Sequence, residues 1–251
     1  MLYIDFQPNE LEMRAGIVET AAALRLRHAH MVGVARSSLW MGLSTDPHRI
    51  AQLASAIRLR IRPNSKISVR SPSGTNLCVE MQPWGRWYET SGIIRSGTKV
   101  NLPAGELVSS PAAVDGVYIA DGAVGDDGGI SNRTLYDQPL RVEFEKSIVR
   151  KITSQDRGLA ELIVRMMGAS PNLNRVGQVN FGTNVGLLDR PDDIFTWQKV
   201  PGLHVTMGVT FPTRTGASWT ADHWIAFTAG SADIDIDNSP VMRAGRYQVA
   251  G

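Results

Sequence analysis

The chain has 251 residues, close to the roughly 250 at which a single core stops growing, so it accommodates one large domain. Hydrophobic residues make up 43% and charged residues 20%, a balance that excludes a disordered chain, a collagen-like repeat and a membrane bundle. No apolar run approaches the roughly 20 residues of a membrane-spanning helix, and no signal peptide is visible, so the expected location is the cytoplasm.

The formal net charge is only +2, but it is unevenly spread. Residues 1–70 hold ten basic and five acidic residues, with Arg58, Arg60, Arg62, Lys66 and Arg70 grouped at the end of an expected helix and the start of a strand. Cations there complement a helix C-terminus and read as a solvated face. A nucleic-acid partner would need a broader basic stripe with interleaved aromatics. Neither nucleic acid nor membrane is expected as a partner.

In chain order, apolar residues recur at helical spacing between Glu10 and Arg27 (Leu11, Ile17, Val18, Ala21, Ala22, Leu24). Asp46 and Pro47 form a cap and first-turn pair for a second helix with the stripe Ile50, Leu53, Ile57, ended by Arg62-Pro-Asn. The texture then changes. Lys66-Ile-Ser-Val-Arg, the turn Pro72-Ser-Gly-Thr and Asn76-Leu-Cys-Val-Glu-Met predict a hairpin. Further strands are expected at 116–121, 140–146, 148–153, 177–181, 204–211 and 224–228. A helix is expected from Gln155 to Met167, with Leu159, Leu162, Ile163 and Met166 on one face. The class is therefore α+β: a helical N-terminal segment, 1–62, followed by a Gly-rich, mostly antiparallel β domain, 63–251, with one inserted helix. Cys78, the single cysteine, excludes an internal disulfide framework and a cysteine-rich zinc site, and in a strand it reads as buried and inert.

Of the five histidines, His28 and His30 fall near the end of the first expected helix, where a spacing of two points them to different faces. With His48, they read as structural. His204 and His223 each follow a glycine-containing loop, in Pro201-Gly-Leu-His and Gly216-Ala-Ser-Trp-Thr-Ala-Asp-His, which places an imidazole at the rim of a sheet.

Asn101-Leu-Pro-Ala-Gly-Glu-Leu, Ser73-Gly-Thr-Asn, Val114-Asp-Gly, Val176-Gly-Gln-Val-Asn-Phe-Gly-Thr-Asn and the closing Ile234-Asp-Ile-Asp with Gly245-Arg-Tyr occur in one order. Together with the two histidine contexts they resemble the thermophilic aminopeptidase family of metallopeptidases, whose relatives include the 2,5-dihydroxypyridine dioxygenases. The resemblance covers residues 45–251, the family's C-terminal half, and implies that most of an N-terminal domain is missing. It also implies a homodimer. Carried over residue by residue, it gives Glu106, His204 and His223 as ligands for zinc or iron. Two further ligand positions are degenerate: Gln178 offers a neutral amide, and Ile225 offers no donor. A two-metal centre needs anionic or imidazole ligands, and a facial iron triad needs two histidines and a carboxylate; neither set is complete.

No cofactor is therefore expected, and the leading expectation is a non-catalytic peptide-binding protein built on an aminopeptidase scaffold, recognising a leader or precursor peptide for modifying enzymes. Trp84, Trp87, Tyr88, Trp219 and Trp224 are the candidate anchors, and a free sheet edge can add an extended peptide as a strand. The alternatives are a metal-dependent enzyme with altered ligands, either a one-metal hydrolase or a non-haem iron dioxygenase, and a structural, dimerising subunit.

Overall fold

The computed structural model describes residues 2–5, 11–32, 40–127, 130, 132–187 and 190–249. Glu10, the expected start of the first helix, and the side chain of Leu11 lie outside the described residues. The helices of the described residues that matter below are α1 (Leu11–Ala23), α2 (Pro47–Arg58), α3 (Arg157–Ala169), α4 (Ile194–Trp197) and α5 (Pro212–Thr215). The strands begin with β1 (Leu2–Asp5), β2 (His28–Val32), β3 (Lys66–Arg70), β4 (Asn76–Met81), β5 (Tyr88–Thr90) and β6 (Lys99–Asn101). They continue with β7 (Glu106–Ser109), β8 (Pro111–Ala120), β9 (Ala123–Asp126), β10 (Arg133–Thr134), β11 (Leu140–Glu145) and β12 (Ile148–Thr153). The last six are β13 (Val176–Gly182), β14 (Gly202–Gly208), β15 (Trp224–Phe227), β16 (Asp233–Ile236), β17 (Ser239–Arg243) and β18 (Arg246–Tyr247).

They form three sheets. A small parallel sheet has the order β1-β2-β6, a seven-stranded sheet runs β10-β9-β15-β14-β13-β7-β5, and an eight-stranded sheet runs β12-β11-β8-β4-β3-β16-β17-β18. Pairing within the two larger sheets is antiparallel throughout the described residues. The class is α+β, as the alternation of the sequence implies.

The period-2 pattern explains the layers. Ile67, Val69, Leu77, Val79, Val114, Leu140 and Val142 from the larger sheet meet Leu107, Val179, Phe181, Leu203, Val205, Met207, Ile225 and Phe227 from the seven-stranded sheet in one buried core. Tyr118 ties the layers together: its hydroxyl donates to the Leu203 carbonyl at 2.9 Å, giving a fully buried phenol its partner. Helix α2 is capped as expected, with Asp46 accepting from the His48 N–H at 2.9 Å, and buries Ile50, Leu53, Ala54 and Ile57. Helix α3 is rotated relative to expectation and buries Leu159, Ala160, Ile163 and Met167. Leu162 and Met166 are only partly buried beside them.

Two local expectations are corrected. The first 62 residues are not helical throughout, because His28 and His30 lie in β2, which pairs in parallel with β1 and β6, and both are buried. Cys78 is half-buried on β4 rather than fully buried, since it takes the opposite face from Leu77 and Val79. No helix among the described residues is long and apolar enough to cross a membrane.

Candidate functional site

Antiparallel register decides which side chains share a face, because directly paired residues point the same way. In the seven-stranded sheet Thr90 pairs with Glu106, Glu106 with Gly182, Asn180 with His204, and Gln178 with Thr206. These residues therefore form one polar face, on the side of the sheet away from the core. The positions between them, Leu107, Val179, Phe181 and Val205, form the apolar face.

A strap of the chain, 193–200, lies directly over the polar face. Asp193 caps its helical turn α4 by accepting from the Thr196 N–H at 2.7 Å. The turn packs Ile194 and Trp197 onto Ala123 and Ala226 as a small second core. Contact is close enough to require glycine beneath it. A Cβ on Gly125 would stand 2.7 Å from Ile194 Cγ2, and one on Gly182 would stand 1.8 Å from the Val200 carbonyl oxygen.

The strap delivers Lys199 to Glu106. Lys199 Nζ lies 3.0 Å from Glu106 Oε2, with the two side chains only 8% and 16% exposed. Asn180 Nδ2 donates to Glu106 Oε1 at 2.9 Å, and the Thr90 hydroxyl accepts from the Glu106 N–H at 3.2 Å. Removing one partner of such a buried pair typically costs about 3–5 kcal/mol, because the other charge is left uncompensated. Nearby, burial first and Glu106 second push the Tyr88 hydroxyl above its ordinary range, so it stays neutral.

His204 is equally enclosed. Its Nε2 lies 2.9 Å from the Val200 carbonyl oxygen and its Nδ1 accepts from the Ala229 N–H at 3.4 Å, so both ring nitrogens face backbone groups. Burial, with Lys199 adding to it, pulls its pKa from 6.5 to about 4, against the raising effect of the Val200 carbonyl. The unfolded chain therefore binds an extra proton between those values, and stability falls as pH drops from about 6.5 toward 4. The loss attributable to His204 is expected to be about 3 kcal/mol across that window. Urea unfolding of wild type and His204→Asn at pH 7 and pH 4.5 checks this: the variant should lack that share of the acid loss, and equal slopes would refute the assignment.

His223 and the two degenerate positions do not join Glu106 and His204 as donors among the described residues. His223 stands at the exposed rim, with Nδ1 3.2 Å from Asp127 Oδ2. Ile225, the degenerate position that offers no donor, is fully buried in the main core, on the face opposite Glu106 and His204. Gln178 is on the polar face, but its amide donates to the Val209 carbonyl at 2.8 Å. Among the described residues no group of three His, Cys, Asp or Glu side chains is placed to hold a metal. The donors do not fit the zinc or iron centre that the resemblance implies. Asn180 lies within the Val176–Asn184 motif without being marked as a site residue there, and Lys199 belongs to no motif; the burial of Glu106 beside them reveals the pair.

The candidate anchors are also divided among several places. Trp87 tilts against Phe181 at 6.0 Å, Trp224 meets Phe195 edge-on at 6.0 Å, and Trp219 lies under Arg175 at 4.2 Å. Trp84 and Tyr88 belong to a different surface. Tyr88 contacts Phe211 edge-on at 6.4 Å and lies under Arg214 at 5.2 Å, and Arg86 bonds both the backbone and the Pro212 carbonyl of the 211–216 turn. Trp84 is 71% exposed and Phe211 45% exposed. Phe211 holds φ at 51°, a left-handed conformation rare for a bulky side chain. The patch borders β5, the terminal strand of its sheet.

No protein-family model matches the sequence, and no curated protein matches it. Solved structures do match in fold. The 2,5-dihydroxypyridine dioxygenase from Pseudomonas putida KT2440 superposes with a TM-score of 0.64 at 19% identity, over 100% of this chain and 72% of its own. AmpT from Thermus thermophilus gives a TM-score of 0.66 at 17% identity, over 99% of this chain and 76% of its own. The likeness reaches beyond 45–251, the span of the sequence resemblance, into the first 45 residues. The chain has the fold of these two proteins, the aminopeptidase and dioxygenase scaffold that its motifs resemble.

Proposed function

We propose that the protein is a non-catalytic peptide-binding protein on this scaffold, and that its ligand is an extended acidic segment bearing an apolar or aromatic side chain. The observation that carries the reading is the patch of Trp84, Tyr88, Phe211, Arg86 and Arg214 beside the terminal strand β5. Strain at Phe211 supports it, because a residue kept in a disfavoured conformation while presenting its ring to solvent fits a binding role better than a packing one. Aromatic and arginine side chains carry most of the energy at such surfaces, and a terminal strand supplies backbone hydrogen bonds to an incoming peptide. Two arginines on the patch favour a carboxylate-bearing ligand. The biological role that follows is recognition of a leader or precursor segment and its presentation to modifying enzymes.

The test is calorimetric titration with acidic, aromatic-containing peptides in the presence of chelator. Binding should persist in chelator, and Trp84→Ala should weaken it about 30-fold while leaving the unfolding midpoint unchanged, since the indole is exposed. Binding that vanishes in chelator, or that ignores the loss of Trp84, overturns the reading.

A further inference from the structure

We propose that the Lys199 ammonium is a tethered counter-ion that takes over, at Glu106, the charge role of the divalent metal implied by the family resemblance. The polar face would then be a closed internal salt bridge that admits a free cation only when Lys199 is removed.

The argument starts from the carboxylate. Glu106 is the residue that the Leu-Pro-Ala-Gly-Glu motif assigns to a metal, and a carboxylate at 16% exposure needs a cation or a proton beside it. The cation present is part of the chain, 3.0 Å from Oε2. Its delivery is built into the backbone around it. The Lys199 carbonyl accepts from the Asn184 N–H at 3.0 Å, and Gly182 lets Val200 rest directly on β13. The neighbouring groups have adjusted to a cation held from the strap side. Asn180 donates to Oε1, and the carbonyl oxygen of the same amide is buried with no hydrogen-bond partner among the described residues. His204, the imidazole nearest this pair in the expected ligand set, has turned its nitrogens to backbone groups. A lysine ammonium is a compact point charge on a flexible stem, suited to the position of a small ion in a way a planar guanidinium is not. This inference is independent of peptide binding, because it is read by stability.

The experiment compares the full-length wild type, Lys199→Ala, Glu106→Gln and the double variant Lys199→Met/Glu106→Gln. Each is measured by thermal unfolding and elemental analysis, alone, with zinc chloride and with n-propylammonium chloride. Wild type should retain no stoichiometric zinc and show the same Tm in all three conditions. Lys199→Ala should lose about 10 °C of Tm and recover at least half of it in n-propylammonium, whose ammonium and short stem replace the deleted side chain. The double variant should melt closer to wild type than either charge-deleting single, because both charges leave together. Where Lys199→Ala does not fold, the double variant decides alone: a folded double variant supports the pair, and a double variant that also fails to fold overturns it. The proposal also fails if wild type holds one equivalent of zinc that Glu106→Gln removes. It fails as well if the amine stabilises wild type and Lys199→Ala equally.

Discussion

Gly182→Ala is expected to cost about 4 kcal/mol, near the top of the range for a single substitution. The added methyl would stand 1.8 Å from the Val200 oxygen, 2.6 Å from its carbonyl carbon and 2.8 Å from the Lys199 carbonyl carbon. Each of these is backbone, so no side-chain rotation relieves the clash, and either β13 or the 193–200 strap must move. Both are anchored. The Gly182 carbonyl accepts from the Tyr247 hydroxyl at 2.6 Å, and its strand pairs with Glu106 on one side and Gly202 on the other. The strap is the element that yields, taking Lys199 away from Glu106. Urea unfolding measures the cost, and amide exchange at Asn184, whose N–H is held by the Lys199 carbonyl, reports where the structure opens. Gly168→Ala is the matched control: it lies in α3, its added methyl meets nothing within 4 Å, and helix propensity makes it neutral or stabilising by about 0.5–1 kcal/mol. Equal effects at the two positions would refute the close-approach argument.

The legible parts of the sequence are those where a local pattern and tertiary burial agree. Alternation at 66–70 and 76–81 gives the β3–β4 hairpin, and 148–153 appears as β12 with the expected limits. Asp46-Pro47 marks the start of α2 because capping is a local event. The strands β2 and β6 are short and pair in parallel with each other across a long stretch of chain; His28 pairs with Lys99. No local signal specifies such a parallel bridge. The site divides the same way. Glu106 and His204 were visible through motifs and do share a face, but a motif carries no information about what neutralises a carboxylate. Lys199 sits in an unremarkable Gln-Lys-Val-Pro run, and its role arises from the turn that places it over β13. Ile225, the degenerate position that offers no donor, follows the expected strand: β15 begins at Trp224, and alternation sends Ile225 into the core.

Asn184 is where the separate parts of the molecule are joined, and Asn184→Ala is expected to destabilise by about 4 kcal/mol. The residue is fully buried. Its amide nitrogen donates to the Gly42 and Ala104 carbonyls, each at 2.9 Å, and its amide oxygen accepts from the Thr45 hydroxyl at 2.7 Å and the Gly186 N–H at 3.2 Å. One side chain therefore links the segment before α2, the Leu-Pro-Ala-Gly loop before Glu106 and the end of β13. Alanine leaves these groups buried and unpaired, at about 1–3 kcal/mol each where no water enters. Asn184→Asp separates hydrogen bonding from shape. The carboxylate keeps the two acceptor contacts but turns a charged oxygen toward two carbonyl oxygens, so at neutral pH it should be at least as damaging as alanine. Because burial beside acceptors raises the pKa of that carboxyl in the folded state, its deficit should shrink as pH falls and a proton restores one donor. Urea midpoints of both variants at pH 7 and pH 5 decide the matter. A deficit for Asn184→Asp that is smaller than that of alanine at pH 7, or that grows in acid relative to wild type, would mean the amide donors are not what holds the three segments together.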